Sequence, residues 1–181
     1  MSPSTITAEV IPAGTWSVDP VHTTIGFQVT DTGDLFSTIS GRFTQFEGRL
    51  EGGERPSIAG AIRVDSLRTD NEQRDAHLIS PDFLEASKHP EIRFESTSVE
   101  PLGDDRFALR GNLLVKEQPF EIELQGRFRG RGMGKAGDER LLLDIGGSFD
   151  WGTTAVEITA NLTDALARLW FAALLRDGFA R

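Results

Sequence analysis

The sequence contains no cysteine and no tyrosine, and it has no apolar run of the roughly 18 residues that a membrane-spanning helix needs. Without cysteine the chain has neither disulfides nor thiolate metal ligands, and sulfur chemistry gives no indication of its compartment. A surplus of positive charge is also absent, because the formal net charge is −9. A nucleic-acid-binding surface needs a basic footprint, so we expect no nucleic-acid partner.

The residues that are abundant favour a compact β structure. The chain has 181 residues, of which 38% are hydrophobic, which suits one domain with a core of its own. Its 19 glycines and 12 phenylalanines are typical of twisted, tightly turned strands around an aromatic interior. The first residues carry neither a charged segment nor an apolar one, so no secretory signal is recognised and a cytoplasmic location is expected.

Apolar residues alternate with polar ones through most of the chain, which is the period of half-buried strands. The cleanest alternation joins Phe107, Leu109, Gly111, Leu113 and Val115. We count about eight such strands, connected as hairpins. Eight antiparallel strands close most naturally into a barrel whose interior is filled by side chains or holds one small ligand. The predicted fold class is therefore all-β.

Two segments break the alternation. The polar stretch at about 71–87 predicts a short helical insert, with Asn71 capping one helix and Ser80-Pro81 starting a second. Near the end, Thr163 precedes an amphipathic pattern that predicts a helix at about 163–176. These boundaries divide the chain into a flexible N-terminal segment (1–13), a barrel domain (14–162) and a C-terminal helical extension (163–181).

Glycine recurs at positions that share the apolar face of the predicted strands, namely 41, 48, 60, 111, 126 and 147. Two interpretations stay open. The glycines either allow the strands to coil at barrel corners, or leave interior volume unfilled and so create an apolar cavity.

The densest polar cluster includes Arg74, Asp75 and His77. These residues either form a polar rim for a ligand head group or tie the long insert to the barrel, and the second role is favoured. No metal site is expected, because the three histidines are far apart in sequence. A nucleophile is also missing, since there is neither a Gly-x-Ser-x-Gly motif nor a cysteine.

Several motifs in order resemble the YceI-like family of bacterial lipocalin-like, polyisoprenoid-binding proteins. They are Trp16-Ser-Val-Asp-Pro-Val-His22 with Ile25-Gly-Phe27, Ile39-Ser-Gly-Arg-Phe43 with Phe46-Glu-Gly48, Thr69-Asp-Asn-Glu-Gln-Arg-Asp-Ala-His-Leu78 with Ser80-Pro-Asp-Phe83, Pro90-Glu-Ile-Arg-Phe94, and Gly111-Asn-Leu-Leu-Val-Lys116. The resemblance implies an eight-stranded antiparallel barrel around a long apolar pocket. It also implies binding of an isoprenoid chain or isoprenoid quinone, commonly by a homodimer.

The resulting hypothesis is a carrier that binds an isoprenoid-type amphiphile without transforming it and needs no cofactor. Its cavity lining is predicted to comprise Phe27, Val29, Phe43, Ile62, Val64, Phe94, Leu113, Ile122 and Phe149. The alternative for each of these residues is ordinary core packing. Two rival functions are an enzyme of small lipophilic substrates that uses Arg74, Asp75 and His77, and a filled-barrel, stress-related interaction protein.

A basic patch, formed by Arg127, Arg129, Arg131 and Lys135, suggests either a solvated hairpin or transient contact with an anionic membrane surface.

Overall fold

A computed structural model describes residues 10–31, 37–149 and 154–164. The regular elements in these ranges are, in chain order, β1 (Gly14–Val18), β2 (Thr24–Asp31), β3 (Ser37–Phe43), β4 (Phe46–Gly52), β5 (Ser57–Arg63), a 3-10 turn (Val64–Ser66), β6 (Leu67–Arg68), α1 (Glu72–Leu78), β7 (Glu91–Gly103), β8 (Arg106–Val115), β9 (Gln118–Met133), β10 (Glu139–Phe149) and β11 (Thr154–Asp164).

These elements form a closed, eight-stranded antiparallel β-barrel, which confirms the predicted fold class. Three of the eight barrel strands are interrupted, so that each consists of two segments: β1 with β2, β3 with β4, and β5 with β6. Each strand pairs with the next along the chain. The barrel closes because β11 pairs with β1 at one end of its length and with β2 at the other.

The break between β3 and β4 explains a change of parity in the sequence, where Phe43 and Phe46 both belong to the apolar set. Two residues, Thr44 and Gln45, separate the strands. The Thr44 N–H donates to the Ser66 carbonyl over 3.2 Å, and the Arg63 N–H donates to the Gln45 carbonyl over 2.9 Å. The irregular backbone groups are thus satisfied by the neighbouring strand, and both phenylalanines face inward.

Two separate apolar clusters lie at different heights of the barrel. The larger one fills the end opposite the helix and contains Ile11, Trp16, Leu50, Phe107, Leu109, Ile122, Leu124, Leu141, Leu143, Ile145, Ala160 and Leu162. The smaller one lies beneath the helical insert and contains Val64, Leu67, Leu84, Ile92 and Val115. The first cluster closes one end of the barrel, and the second anchors the insert at the other.

Phenylalanine rings occupy the space next to several inward-facing glycines. A Cβ on Gly41 would lie 2.3 Å from Phe27 Cζ, and a Cβ on Gly126 would lie 2.1 Å from Phe107 Cζ. In both pairs the two residues are directly opposite each other on neighbouring strands. These glycines make room for aromatic rings, an arrangement that neither sequence interpretation anticipated.

The helical insert is only partly helical. Asn71 caps α1 as predicted, because its side chain accepts from the Arg74 N–H. The predicted second helix after Ser80 is wrong, since residues 81–88 form turns. Glu85 has a φ of 50°, in the left-handed region, and the Leu84 N–H donates back to the Leu78 carbonyl. Both features prevent a continuous helix.

Described residues on both sides of the predicted barrel domain, 14–162, contact the barrel. Ile11 is fully buried in the larger cluster, and its carbonyl accepts from the Gly53 N–H. At the other boundary, Thr163 does not cap a helix, because it pairs with Ser17 and Arg140 as part of β11. The rest of the predicted helix, 165–176, lies outside the described residues.

Candidate ligand-binding cavity

A cavity of about 840 Å³ lies inside the barrel between the two apolar clusters. Side chains from β2, β3, β4, β5, β7, β8, β9, β10 and β11 line it, and the helical insert covers part of one end. Most of the lining is aliphatic or aromatic. A cavity of this size and polarity suits a mostly apolar ligand of low molecular mass.

The structure brings together most of the residues predicted to line a cavity. The predicted residues that line it are Phe27, Val29, Phe43, Ile62, Phe94, Leu113 and Ile122. Val64 does not, because it is buried in the cluster beneath the insert. The side chain of Phe149 lies outside what the structure describes.

Further lining residues were missed by the sequence reasoning. Those on strands include Ile25, Ile39, Phe46, Ile58, Leu109, Leu124, Ile145, Ile158 and Ala160. Ile25, Ile39, Ile58, Leu109, Leu124 and Ile145 share the parity of a predicted residue on the same strand, so the alternation could have found them. No lining residue was predicted on β4 or β11. Phe83 and Leu84 also line the cavity, but they lie in the turn after α1, where no periodic signal exists.

Thr69 joins two of the three residues predicted for the rim. The Thr69 hydroxyl accepts from Arg74 Nε over 2.8 Å and lies 2.5 Å from Asp75 Oδ1, which also accepts from the Thr69 N–H. The Thr69 carbonyl accepts from Arg74 Nη2. Because Thr69 is buried, these bonds fix α1 to the barrel. Arg74 also lines the cavity, whereas Asp75 does not.

His77 lines the cavity near its helical end, next to an aromatic ring. Its imidazole contacts Phe83 edge to face, with ring centroids 4.8 Å apart. Phe83 is 47% exposed although it also lines the cavity. His77 Nε2 lies 3.6 Å from Asp82 Oδ2 on the exposed side of the same turn. His77 and Phe83 therefore lie where the cavity meets solvent.

The Arg74 guanidinium is not in a direct ion pair. Among residues 10–31, 37–149 and 154–164, no carboxylate lies within ion-pair distance of Arg74. A guanidinium has five N–H donors, and two of those of Arg74 bond to Thr69: the Nε–H to its hydroxyl and one Nη2–H to its carbonyl. The remaining donors make Arg74 suited to an anionic or strongly polar group.

A second polar cluster, away from the insert, centres on Asp19. The Asp19 carboxylate lies 2.8 Å from His22 Nδ1, accepts from the Val21 N–H over 2.9 Å, and forms an ion pair with Arg140 at 2.8 Å. Burial raises the pKa of Asp19, but these hydrogen bonds outweigh it and lower the pKa to about 2. The cluster fixes the turn between β1 and β2 against β10.

The basic patch predicted on the β9–β10 hairpin is partly neutralised. Arg129 forms an ion pair with Asp144 at 2.9 Å, and Arg131 forms one with Glu139. Three of the four basic residues lie on β9, which reaches Met133, and Lys135 lies in the turn before β10.

Metal-ligand clusters and membrane-crossing helices are both absent from the described part of the chain. No group of three or more histidine or carboxylate side chains there is arranged to hold a metal ion. No helix there is long and apolar enough to cross a membrane.

Two curated relatives resemble the chain in sequence. A UPF0312 protein of Azotobacter vinelandii is 29% identical over 150 residues, which is 76% of this chain and 77% of the relative. A UPF0312 protein of Pseudomonas putida is 31% identical over 123 residues, which is 66% of this chain and 63% of the relative.

Solved structures share the fold at low sequence identity. A YceI protein of Campylobacter jejuni has a TM-score of 0.64 at 20% identity, covering 74% of this chain and 92% of its own. A polyisoprenoid binding domain from Saccharophagus degradans, implicated in plant cell wall breakdown, has a TM-score of 0.64 at 10% identity, covering 82% and 98%. The model of the YceI-like domain matches residues 16–164, so the chain belongs to the YceI-like domain family.

Proposed function

We propose that this protein binds and carries an isoprenoid-type amphiphile, a polyisoprenoid or an isoprenoid quinone, without transforming it. The observation that carries the proposal is the apolar cavity of about 840 Å³ with a polar rim at one end. Family membership supports lipid binding in general, and the similar Saccharophagus degradans domain is described as binding polyisoprenoid.

The apolar lining supplies enough free energy without any catalytic group. Burial of hydrocarbon contributes about 0.8 kcal/mol per carbon, so three isoprene units give about 12 kcal/mol. Association costs at least about 4 kcal/mol. The difference of about 8 kcal/mol corresponds to a micromolar dissociation constant.

The volume of the cavity limits how much chain it holds. At about 30 Å³ per water-sized group, a cavity of about 840 Å³ holds about 28 non-hydrogen atoms. That corresponds to about five or six isoprene units.

Arg74 is our candidate for the head group. It lines the cavity, is partly buried and has no carboxylate partner among the described residues. Its guanidinium is suited to a phosphate or a quinone carbonyl. His77 stands beside it at the same end.

The contacts favour a carrier over the two rival functions. Asp75 is engaged by Thr69 and does not line the cavity, so the three residues proposed for acid–base chemistry do not face one ligand. A filled barrel is at odds with the size of the cavity.

Ligand extraction and thermal shift test the proposal. Full-length protein, purified from its producing cells and extracted with organic solvent, should release a prenyl lipid or quinone detectable by mass spectrometry. Delipidated protein should gain thermal stability with farnesol, by about 2.7 kcal/mol at a hundredfold excess over the dissociation constant.

The matched variant is Ile62→Trp, which fills the cavity from one wall. It should retain the circular dichroism spectrum of the barrel and lose the thermal shift. An extract without prenyl lipid, together with no shift of the wild-type protein by farnesol or an isoprenoid quinone, would contradict the proposal.

A comparison of farnesyl phosphate with farnesol tests the head-group assignment. Arg74→Gln should weaken binding of the phosphate about tenfold and that of the alcohol less than about twofold, because only the phosphate is charged. Arg42→Gln is the control, since it removes an exposed arginine on β3 that does not line the cavity. Equal weakening of both ligands would contradict the assignment.

The homodimer, the cytoplasmic location and the transient membrane contact expected from the sequence stay predictions. Size-exclusion chromatography with light scattering checks the first of them.

A further inference from the structure

The ring of Phe27 lies along the barrel wall and covers part of the neighbouring strand. Phe27 is directly opposite Gly41 on β3. A Cβ on Gly41 would overlap Phe27 Cζ and would lie 2.7 Å from Phe27 Cε1. The tip of the ring therefore takes the place that the side chain of any other residue at position 41 would need.

The surroundings of Phe27 determine where its ring goes when that place is filled. The Phe43 ring lies beside it, with centroids 5.3 Å apart and planes tilted by 41°. The strand backbone lies behind it. Phe27 is only half-buried although it faces inward, because it lines the cavity. A ring displaced from Gly41 therefore moves into the cavity.

The pair of Phe27 and Gly41 adjoins the helical end of the cavity. Phe27 packs against the apolar cluster beneath the insert. A Cβ on Gly41 would lie 3.0 Å from Thr69 Cγ2, and the Thr69 hydroxyl accepts from Arg74 Nε over 2.8 Å. A ligand whose head group binds Arg74 would run its first carbons past Phe27.

Phe94 repeats this arrangement deeper in the barrel. A Cβ on Gly111 would lie 2.5 Å from Phe94 Cζ, so this ring leans across β8. Gly60 is directly opposite Phe94 on its other side, and a Cβ there would meet only backbone atoms within 4 Å. Phe94 and Gly60 both line the cavity. Both rings thus leave room near the barrel axis.

Phe107 and Gly126 show the same pairing where there is no cavity. Phe107 is fully buried in the larger cluster and does not line the cavity. A glycine beneath a ring serves packing there. Beside the cavity the same arrangement has a second effect, because it decides how much of the width is left to a ligand.

Width matters for the kind of chain that the cavity accepts. An isoprenoid chain carries a methyl branch at regular intervals and is wider than a straight alkyl chain of the same length. Each branch gains hydrophobic free energy where the wall leaves room for it and meets steric overlap where the wall does not.

We propose that Phe27, held on the wall by Gly41, is a specificity-determining residue that gives the cavity room for methyl branches and so favours a branched over a straight chain. This inference rests on the proposed function and names the residues that select its ligand class. Phe94 on Gly111 contributes in the same way, but a Cβ on Gly111 would also lie 2.5 Å from the Glu95 carbonyl oxygen. Gly41 is therefore the position to test.

Farnesol and 1-dodecanol test the proposal, because they share main-chain length and terminal hydroxyl and differ in the branches and double bonds of farnesol. Gly41→Ala should reduce the preference for farnesol about tenfold, since the displaced Phe27 ring takes the room of a branch. Gly126→Ala is the matched control, because it displaces a ring outside the cavity and should leave the preference within about twofold. Equal preference of Gly41→Ala and wild-type protein would overturn the inference.

The double variant Gly41→Ala, Phe27→Leu separates the ring from Thr69. Both this variant and Gly41→Ala keep the new methyl group next to Thr69 Cγ2, but only the single variant has a ring to displace. The double variant should recover the wild-type preference to within about threefold. A double variant as unselective as the single one would overturn the inference.

A third variant does not depend on an added atom at Gly41. Phe27→Trp enlarges the side chain beside the cavity, so it should also reduce the preference for farnesol about tenfold while dodecanol affinity changes less than about twofold. An unchanged preference would overturn the inference. Absence of farnesol binding by the wild-type protein would instead overturn the proposed function.

Discussion

Individual side chains in this barrel have roles that depend on a partner far away in sequence. Asp19 is 7% exposed and meets Arg140 from the other side of the barrel seam. Phe107 is fully buried, and its ring occupies the space next to Gly126. Such pairs could not be predicted from the sequence, because alternation shows which face a residue occupies and not which residue it meets.

Asp19 should make stability depend on pH in the acid range. Its pKa is lowered from 3.8 to about 2 in the folded protein, so the ionised carboxylate stabilises the fold above about pH 4. That contribution, at most about 2 kcal/mol, is lost as the pH falls from about 4 to 2. Asp19→Asn should lower the free energy of unfolding at pH 7 and flatten this acid dependence.

Urea unfolding at pH 7, 4 and 3 checks the expectation for Asp19. The control is Glu54→Gln in the exposed turn before β5, which should change stability by less than about 0.5 kcal/mol. A variant Asp19→Asn that loses stability in parallel with the wild-type protein at all three pH values would contradict the assignment.

Gly126→Ala should destabilise the barrel by about 1–3 kcal/mol, because the new methyl group would overlap the Phe107 ring. Gly132→Ala on the same strand is the control, since no atom lies within 4 Å of the added Cβ. Thermal unfolding compares the two. Equal melting temperatures would show that the ring can move aside without cost.

At the scale of elements, the strands could largely be predicted and the connections could not. The alternation of apolar and polar residues located the central part of each strand and identified inward-facing residues that line the cavity. The predicted helix after Ser80 failed because a cap signal is local, whereas the Leu84 N–H finds its acceptor on α1. Likewise, Thr163 resembles a helix cap in sequence but is paired on both sides in β11.

The attachment of α1 depends on Thr69. Thr69→Val should cost about 2 kcal/mol, because its hydroxyl bonds both the Arg74 guanidinium and the Asp75 carboxylate. The amides of α1 should also exchange with solvent faster than those of the neighbouring strands. Hydrogen exchange with mass spectrometry measures both the loss of stability and the faster exchange in α1. The control is Thr38→Val, at an exposed position on β3. Unchanged exchange in α1 would contradict this role.

At the scale of the whole molecule, the barrel is filled unevenly, so we expect its backbone amides to be unevenly protected from hydrogen exchange. Backbone amides beside the larger cluster, such as those of Leu109, Leu124 and Leu143, should exchange slowest, because opening there exposes the most apolar surface. Amides of β2 and β3, along the cavity, should exchange faster in the empty protein and slow down when a prenyl ligand is added. Uniform protection along all strands would contradict this gradient.

The closed barrel itself could be predicted from eight alternating segments, but the interruption between β1 and β2 could not. It lies where the Asp19 cluster fixes the turn to β10 and β11, and the residues of this turn carry no periodic signal. The cavity was one of two interpretations of the inward glycines. Gly48 and Gly60 line the cavity, as that interpretation expects, whereas Gly126 makes room for the Phe107 ring, which neither interpretation anticipated.

The pairing of β1 with β11 also bears on how the chain is made. Trp16 lies opposite Asp164, so the strand synthesised first has to wait for the last described strand before the ring can close. Until then β1 and β10 each present a free strand edge, which is a template for association with other chains. At about 5–20 residues per second, the β1 edge stays exposed for several seconds or more, whereas the β10 edge is exposed only briefly before β11 follows. The nascent chain is therefore open to association at its β1 edge until β11 emerges.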